Sequence, residues 1–170
     1  SQESRDFMMT AFDLSEQFDT PVMLRMTTRV CHTSGPVEVG EQRMLRLAAQ
    51  KYPRNQGKYV MIPANARKRH GIIEHRIQEL AEYAETSPLN QVEHRSKSLG
   101  IITGGIAYQY AREVFPDASI LKLGMVYPLP QRLIAEFASS VERLIVLEEL
   151  DPFIADQVRL MGVQLYQPDG

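Results

Sequence analysis

Thr27-Thr28-Arg29, followed closely by Cys31 and His32, places two hydroxyls, a guanidinium, a thiol and an imidazole within six residues. An arginine fork can hold a carboxylate or a diphosphate through paired hydrogen bonds, and a histidine titrates near neutral pH. Thr28, Arg29 and His32 are therefore the expected contacts to a substrate or cofactor, with Arg29 on the anion. Three other clusters invite chemistry but have a simpler reading. Glu148-Glu149 with Asp151 can share a proton or bind a cation, although a salt-bridge edge facing a neighbouring domain serves the same residues. Gly104-Gly105 could offer backbone amides to an anion at a helix start. The spacing is not G-x-G-x-x-G, however, and any tight turn uses glycine for its backbone freedom. Arg67-Lys68-Arg69-His70 sets fixed charges near the start of a helix, where the macrodipole disfavours each cation by roughly a few tenths of a kcal/mol. That calls for a solvated basic face or an acidic group opposite. No residue is expected to act as a catalytic group, and none as a metal ligand.

These groups are positioned by a βαβαβ pattern running from Ser98 to Leu150. Three apolar runs, Ile101–Thr103, Ile120–Leu123 and Leu144–Leu147, alternate with two helical patterns. Strands this continuously apolar bury both faces, as in a mostly parallel sheet with helices on either side. Ligand contacts then belong at the carboxyl ends, at Gly104, Met125 and Glu148. Tyr127-Pro128-Leu129-Pro130 pins a turn before a helix, with Pro130 suited to its first position.

Ahead of this pattern, Phe7, Met8, Ala11, Phe12, Leu14 and Phe18 recur at helical spacing, predicting a helix over Gln2–Phe18. Asp19-Thr20-Pro21 stops it. Val22–Met26 reads as a buried strand with Thr27-Thr28-Arg29 at its carboxyl end. A lone αβ unit cannot bury both faces of its strand, so it is expected to close a preceding domain. Residues 33–98 read as linker, with a short helix near Met44–Ala49 and a second amphipathic helix through Ile72–Ala84 that ends before Ser87-Pro88. Pro152–Met161 should form a last helix and Gly162–Gln167 a last strand.

The chain has 170 residues, of which 44% are apolar, enough for one ordinary core and part of a second. A net charge of -2 argues against a nucleic-acid surface, and no apolar run approaches a membrane span. The single cysteine excludes an internal disulfide and any cluster built from several thiolates of this chain. A cytoplasmic setting is expected. The polar opening without an initiator methionine predicts a piece of a longer protein.

Five stretches, FDTPVMLRMTTRVCH, KYVMIPANARKRH, SPLN, GIAYQYAREVFPDASILKLGMVYPLP and VLEELDPFI, occur in this order over nearly the whole chain. With them the chain resembles the large (alpha) subunit of indolepyruvate ferredoxin oxidoreductase, in the 2-oxoacid:ferredoxin oxidoreductase family. The resemblance implies that residues 1–32 end a pyrimidine-binding domain and that residues 99–170 form a transketolase C-terminal-like domain II. It also implies an intact enzyme that uses thiamine diphosphate, magnesium and [4Fe-4S] clusters. That enzyme converts aryl 2-oxoacids and coenzyme A to acyl-CoA, with a small beta subunit and ferredoxin as partners. Met26 and Cys31 stand where the family more often has threonine and serine, which argues against an obligatory role for either. The family's magnesium and diphosphate motif and its ferredoxin-type cysteines have no counterpart here, so the fragment is expected to bind no cofactor by itself. The apolar stripe of Phe7–Phe18 and Val22–Met26 needs a cover, so that segment is expected either to self-associate or to dock against the second domain. An interaction or anion-binding regulatory module of the same fold is the competing reading.

Overall fold

The fold is given by a computed structural model that describes residues 1–40 and 53–166. The chain divides into two compact units, one of residues 1–24 and 33–78, the other of residues 25–32 and 79–170.

In the first unit, α1 (Gln2–Phe18) forms where the apolar spacing predicts it, burying Leu14 and leaving Phe12 exposed. Asp19 closes α1 in the left-handed region, at φ 49. A carboxylate at a helix C-terminus opposes the macrodipole. Here three cations offset it, with Lys58 Nζ at 2.5 Å, Arg76 Nη2 at 3.1 Å and Arg69 Nη2 at 3.9 Å. The hydrogen bond from Lys58, with Arg76 and Arg69 beside it, lowers the Asp19 pKa against a smaller opposing effect of burial. Part of the basic run thus has its acidic partner. After the four-residue α3 (Gln56–Tyr59), α4 (Pro63–Thr86) starts nine residues earlier than Ile72, opening on a proline that lacks only an N–H the first turn does not use. The helix expected near Met44–Ala49 lies outside the described residues.

The strand expected over Val22–Met26 is not formed. Residues 21–27 belong to neither helix nor strand and have no ladder pairing, and Met23 is 88% exposed. An extended segment becomes a strand only by pairing its N–H and C=O groups with a neighbour, and none of the described residues supplies one. The αβ unit is therefore a helix and an unpaired tail.

The second unit is α/β. Its sheet has the order β1-β3-β2-β4, with β1 (Gln91–Glu93), β2 (Ser96–Gly104), β3 (Ala118–Leu123) and β4 (Leu144–Leu147). β2 pairs parallel with β3 and β4, whereas β1 is an antiparallel edge. On one face α5 (Ala107–Val114) sets Tyr108 and Ala111 against Ile101 and Ile120. On the other, α6 (Gln131–Ser139) and α7 (Phe153–Leu160) set Ile134, Phe137, Ile154 and Val158 against Ile102, Leu121 and Leu123. Side-chain alternation along β2 and β3 feeds both cores, and each fully buried Ile or Leu contributes about 1.5 to 3 kcal/mol. The last strand expected from Gly162 does not form over its described part. Val163 and Leu165 pack on the α6/α7 core, and Tyr166 N–H donates to the Leu144 carbonyl at 2.7 Å. One such bond does not make a ladder. No helix among the described residues is long and apolar enough to cross a membrane.

Candidate functional site

The carboxyl ends of the parallel strands, where ligand contacts were expected, are held by their own chain. Gly104 ends β2 so close to β3 that a Cβ there would sit 2.8 Å from the Leu123 carbonyl oxygen, and Gly105 follows at φ 56. Only glycine meets both demands cheaply. At the end of β3, the buried Asn90 side-chain oxygen accepts from the N–H groups of Gly124 at 3.1 Å and Met125 at 3.0 Å. Its amide donates to the Ala84 carbonyl at 2.9 Å. Beyond β4, the Glu148 carboxylate accepts from Ile154 N–H at 2.8 Å and Ala155 N–H at 3.0 Å, capping α7. Glu85 does the same for α6, accepting from Arg132 and Leu133 N–H at 3.0 and 2.9 Å. Glu149 and Asp151 are exposed.

Thr28, Arg29 and His32 fall in and just after α2 (Thr28–Cys31), a single turn with Thr27 as N-cap. All three are exposed, as is Cys31. The structure ties one of them down. Arg29 Nη1 donates to the Tyr110 hydroxyl at 2.5 Å, joining α2 to α5 across 81 positions of sequence. Thr28 and His32 are linked by a backbone bond, His32 N–H to the Thr28 carbonyl at 3.1 Å. Beside them the Thr27 hydroxyl is buried without a hydrogen-bond partner among the described residues.

A polar cluster that the sequence did not signal lies over the β1–β3 edge. Glu93 on β1 accepts from the Tyr108 hydroxyl at 2.5 Å and from Arg112 Nη1 at 2.9 and 3.1 Å, with Arg95 at 3.4 Å. The nearly buried Lys122 sets its ammonium 4.6 Å from the centre of the Tyr108 ring. The hydrogen bond from Tyr108 is the main cause of a lowered Glu93 pKa, opposed by burial and aided by Arg112. Burial, then the bond to Glu93, raises that of Tyr108. These groups come from a three-residue edge strand and the residues after it, from β3 and from successive turns of α5, so no single spacing reveals them. Among the described residues, no three His, Cys, Asp or Glu side chains gather as a metal site requires.

No protein-family model matches the chain. Curated relatives do. A protein of Archaeoglobus fulgidus is 37% identical over 169 residues, 95% of this chain and 27% of that one. One of Methanothermobacter marburgensis is 39% identical over 163 residues, 92% of this chain and 26% of that one. One of Pyrococcus horikoshii is 35% identical over 169 residues, 94% and 26% of the two chains. Each is named indolepyruvate oxidoreductase subunit IorA. Among solved structures, a 2-oxoglutarate:ferredoxin oxidoreductase from Magnetococcus marinus aligns with a TM-score of 0.42 and 18% identity, over 59% of this chain and 19% of that one. The chain is thus similar to indolepyruvate oxidoreductase subunits IorA over more than nine-tenths of its own length, and it spans about a quarter of the length of the curated relatives it matches.

Proposed function

We propose that the chain is a segment of a thiamine-diphosphate-dependent enzyme that oxidatively decarboxylates indolepyruvate and other aryl 2-oxoacids to acyl-CoA, with ferredoxin as electron acceptor. The observation that carries this is identity of 33–39% to IorA subunits over more than nine-tenths of the chain. In this reading, residues 1–32 end the pyrimidine-binding domain, residues 33–98 link, and residues 99–170 form the transketolase C-terminal-like domain II. The small beta subunit, coenzyme A and ferredoxin are partners of the whole enzyme, which works in the cytoplasm.

Within that enzyme the segment acts as scaffold and interface. Its chemically suggestive groups are engaged in structure: Glu148 on α7, Gly104 against Leu123, Asn90 on the end of β3. Thiamine diphosphate supplies the carbanion-stabilising chemistry when bound, and protein groups orient and neutralise the substrate. The residues of this chain do not fit the other cofactors. A [4Fe-4S] cluster takes four thiolates and the chain has one cysteine, while the described residues bring together no acidic or histidine set for magnesium. We assign those ligands to the remainder of the subunit. Arg29 is the residue placed nearest the chemistry, as a contact to an anionic oxygen.

The test is anaerobic reduction of ferredoxin by the full-length subunit with its partner, supplied with indolepyruvate and coenzyme A. Reduction that depends on both substrates supports the assignment. A stable assembly loaded with thiamine diphosphate and clusters, yet inert toward every aryl 2-oxoacid, overturns it in favour of the interaction or anion-binding module.

A further inference from the structure

We infer that Tyr110 is a positioning residue for Arg29, fixing the guanidinium without neutralising it so that its charge serves an anionic oxygen. This rests on the reading of the chain as part of a 2-oxoacid oxidoreductase. Three observations carry it. First, the contact is specific: Nη1 of Arg29 meets the phenol of Tyr110 at 2.5 Å, and both belong to the same compact unit. Second, the partner is neutral. Among the described residues the Tyr110 hydroxyl is the only hydrogen-bond partner of Arg29, and no carboxylate lies within ion-pair distance. Arg143 likewise meets a neutral partner, donating from Nε to the Ser98 carbonyl at 3.2 Å, whereas four other arginines face carboxylates. Arg76 and Arg69 face Asp19, Arg112 faces Glu93 and Arg132 faces Glu82. A guanidinium carries five N–H donors in a rigid fork. One arm spent on a phenol leaves a bidentate edge for a carboxylate or a phosphate, with the positive charge uncancelled. Third, the surroundings favour a fixed rather than a swinging arm. α2 has a single turn and leaves the Arg29 side chain exposed, so the bond to α5 is what holds the guanidinium in one place. α5 itself is anchored under the sheet by Tyr108 and Ala111, and Tyr110 stands on its solvent side, 45% exposed.

The anionic oxygen belongs either to the carboxylate of the 2-oxoacid or to the diphosphate of the cofactor. Arg29→Ala, Tyr110→Phe and the double variant, each in the full-length enzyme with its partner subunit, separate these. For a substrate carboxylate, Tyr110→Phe raises KM for indolepyruvate about 3- to 10-fold with kcat little changed, the effect of one ordinary, solvent-exposed hydrogen bond. Calorimetric binding of thiamine diphosphate then stays as in the parent. For a diphosphate contact, calorimetry shows the loss and KM for the 2-oxoacid does not move. In both cases Arg29→Ala has the larger effect, and Tyr110→Phe adds nothing in the Arg29→Ala background, since Tyr110 acts only through Arg29. The melting temperature of Tyr110→Phe stays within a few degrees of the parent. The inference is overturned if Arg29→Ala impairs either readout and Tyr110→Phe impairs neither, or if the two losses add. If Arg29→Ala itself leaves both readouts unchanged in an active enzyme, the anion contact and the positioning role fall together. If the parent enzyme does not turn over 2-oxoacids, it is the functional reading that fails.

Discussion

Glu148, the first residue after β4, reaches across the loop to Ile154, accepting its N–H at 2.8 Å and that of Ala155 at 3.0 Å. The first turn of α7 leaves N–H groups with no intrahelical partner, at the positive end of the macrodipole. A carboxylate placed there answers both needs.

Glu148→Ala should therefore lower the unfolding free energy of the chain by about 1 to 2 kcal/mol, whereas Glu149→Ala should change it by less than about 0.5 kcal/mol. Urea titration of both variants checks this. Millimolar magnesium or calcium should move neither midpoint. A metal-dependent midpoint that vanishes in Glu148→Ala would restore the cation-site reading of this cluster.

Asn90 engages Gly124, Met125 and Ala84 from a buried position. Asn90→Ala leaves the Met125 N–H and the Ala84 carbonyl unpaired by it, at a cost of about 2 to 3 kcal/mol. Thermal unfolding should show this loss, while Asn65→Ala, on the exposed start of α4, should lie closer to the parent. Equal midpoints for Asn90→Ala and the parent would show that the turn before β1 does not depend on this side chain.

The Glu93 carboxyl is held below its ordinary value of 4.5, chiefly by the hydrogen bond from Tyr108. Because the folded pKa is the lower one, the unfolded chain binds the proton first as pH falls. The stabilisation is complete above the unfolded value, shrinks below pH 4.5, and is lost once pH passes the folded pKa. Stability of the parent chain should fall over this window more steeply than that of Glu93→Gln. Parallel profiles for the two, measured by urea unfolding between pH 6 and 3, where ordinary carboxylates titrate, would contradict the arrangement.

What the sequence revealed follows from length and burial. Ile101–Thr103, Ile120–Leu123 and Leu144–Leu147 are apolar on both faces, and such runs report their place in a covered parallel sheet whatever surrounds them. Gln91–Glu93 does not, because a three-residue edge strand has one side in water and takes its identity from pairing with Ile120–Lys122. Val22–Met26 misleads in the opposite direction: its composition is that of a buried strand, but pairing is a property of the neighbour and not of the run. The candidate site is legible only by type. Arg29 stands out as an arginine beside two threonines, yet its tether to Tyr110 spans 81 positions and leaves no mark on local spacing. Likewise Glu148 reads as part of an acidic cluster until the start of α7 is seen to fold back on it.

We propose that these 170 residues scaffold a thiamine-diphosphate enzyme whose magnesium and cluster ligands lie elsewhere in the subunit, so that the chain alone does not bind the cofactor tightly. The most direct test is a calorimetric titration of the chain by itself with thiamine diphosphate in the presence of magnesium. The account predicts no heat beyond dilution at concentrations that saturate the full-length subunit. Micromolar, magnesium-dependent binding by the chain alone would contradict it, and would mean that the cofactor site is built from the residues described above.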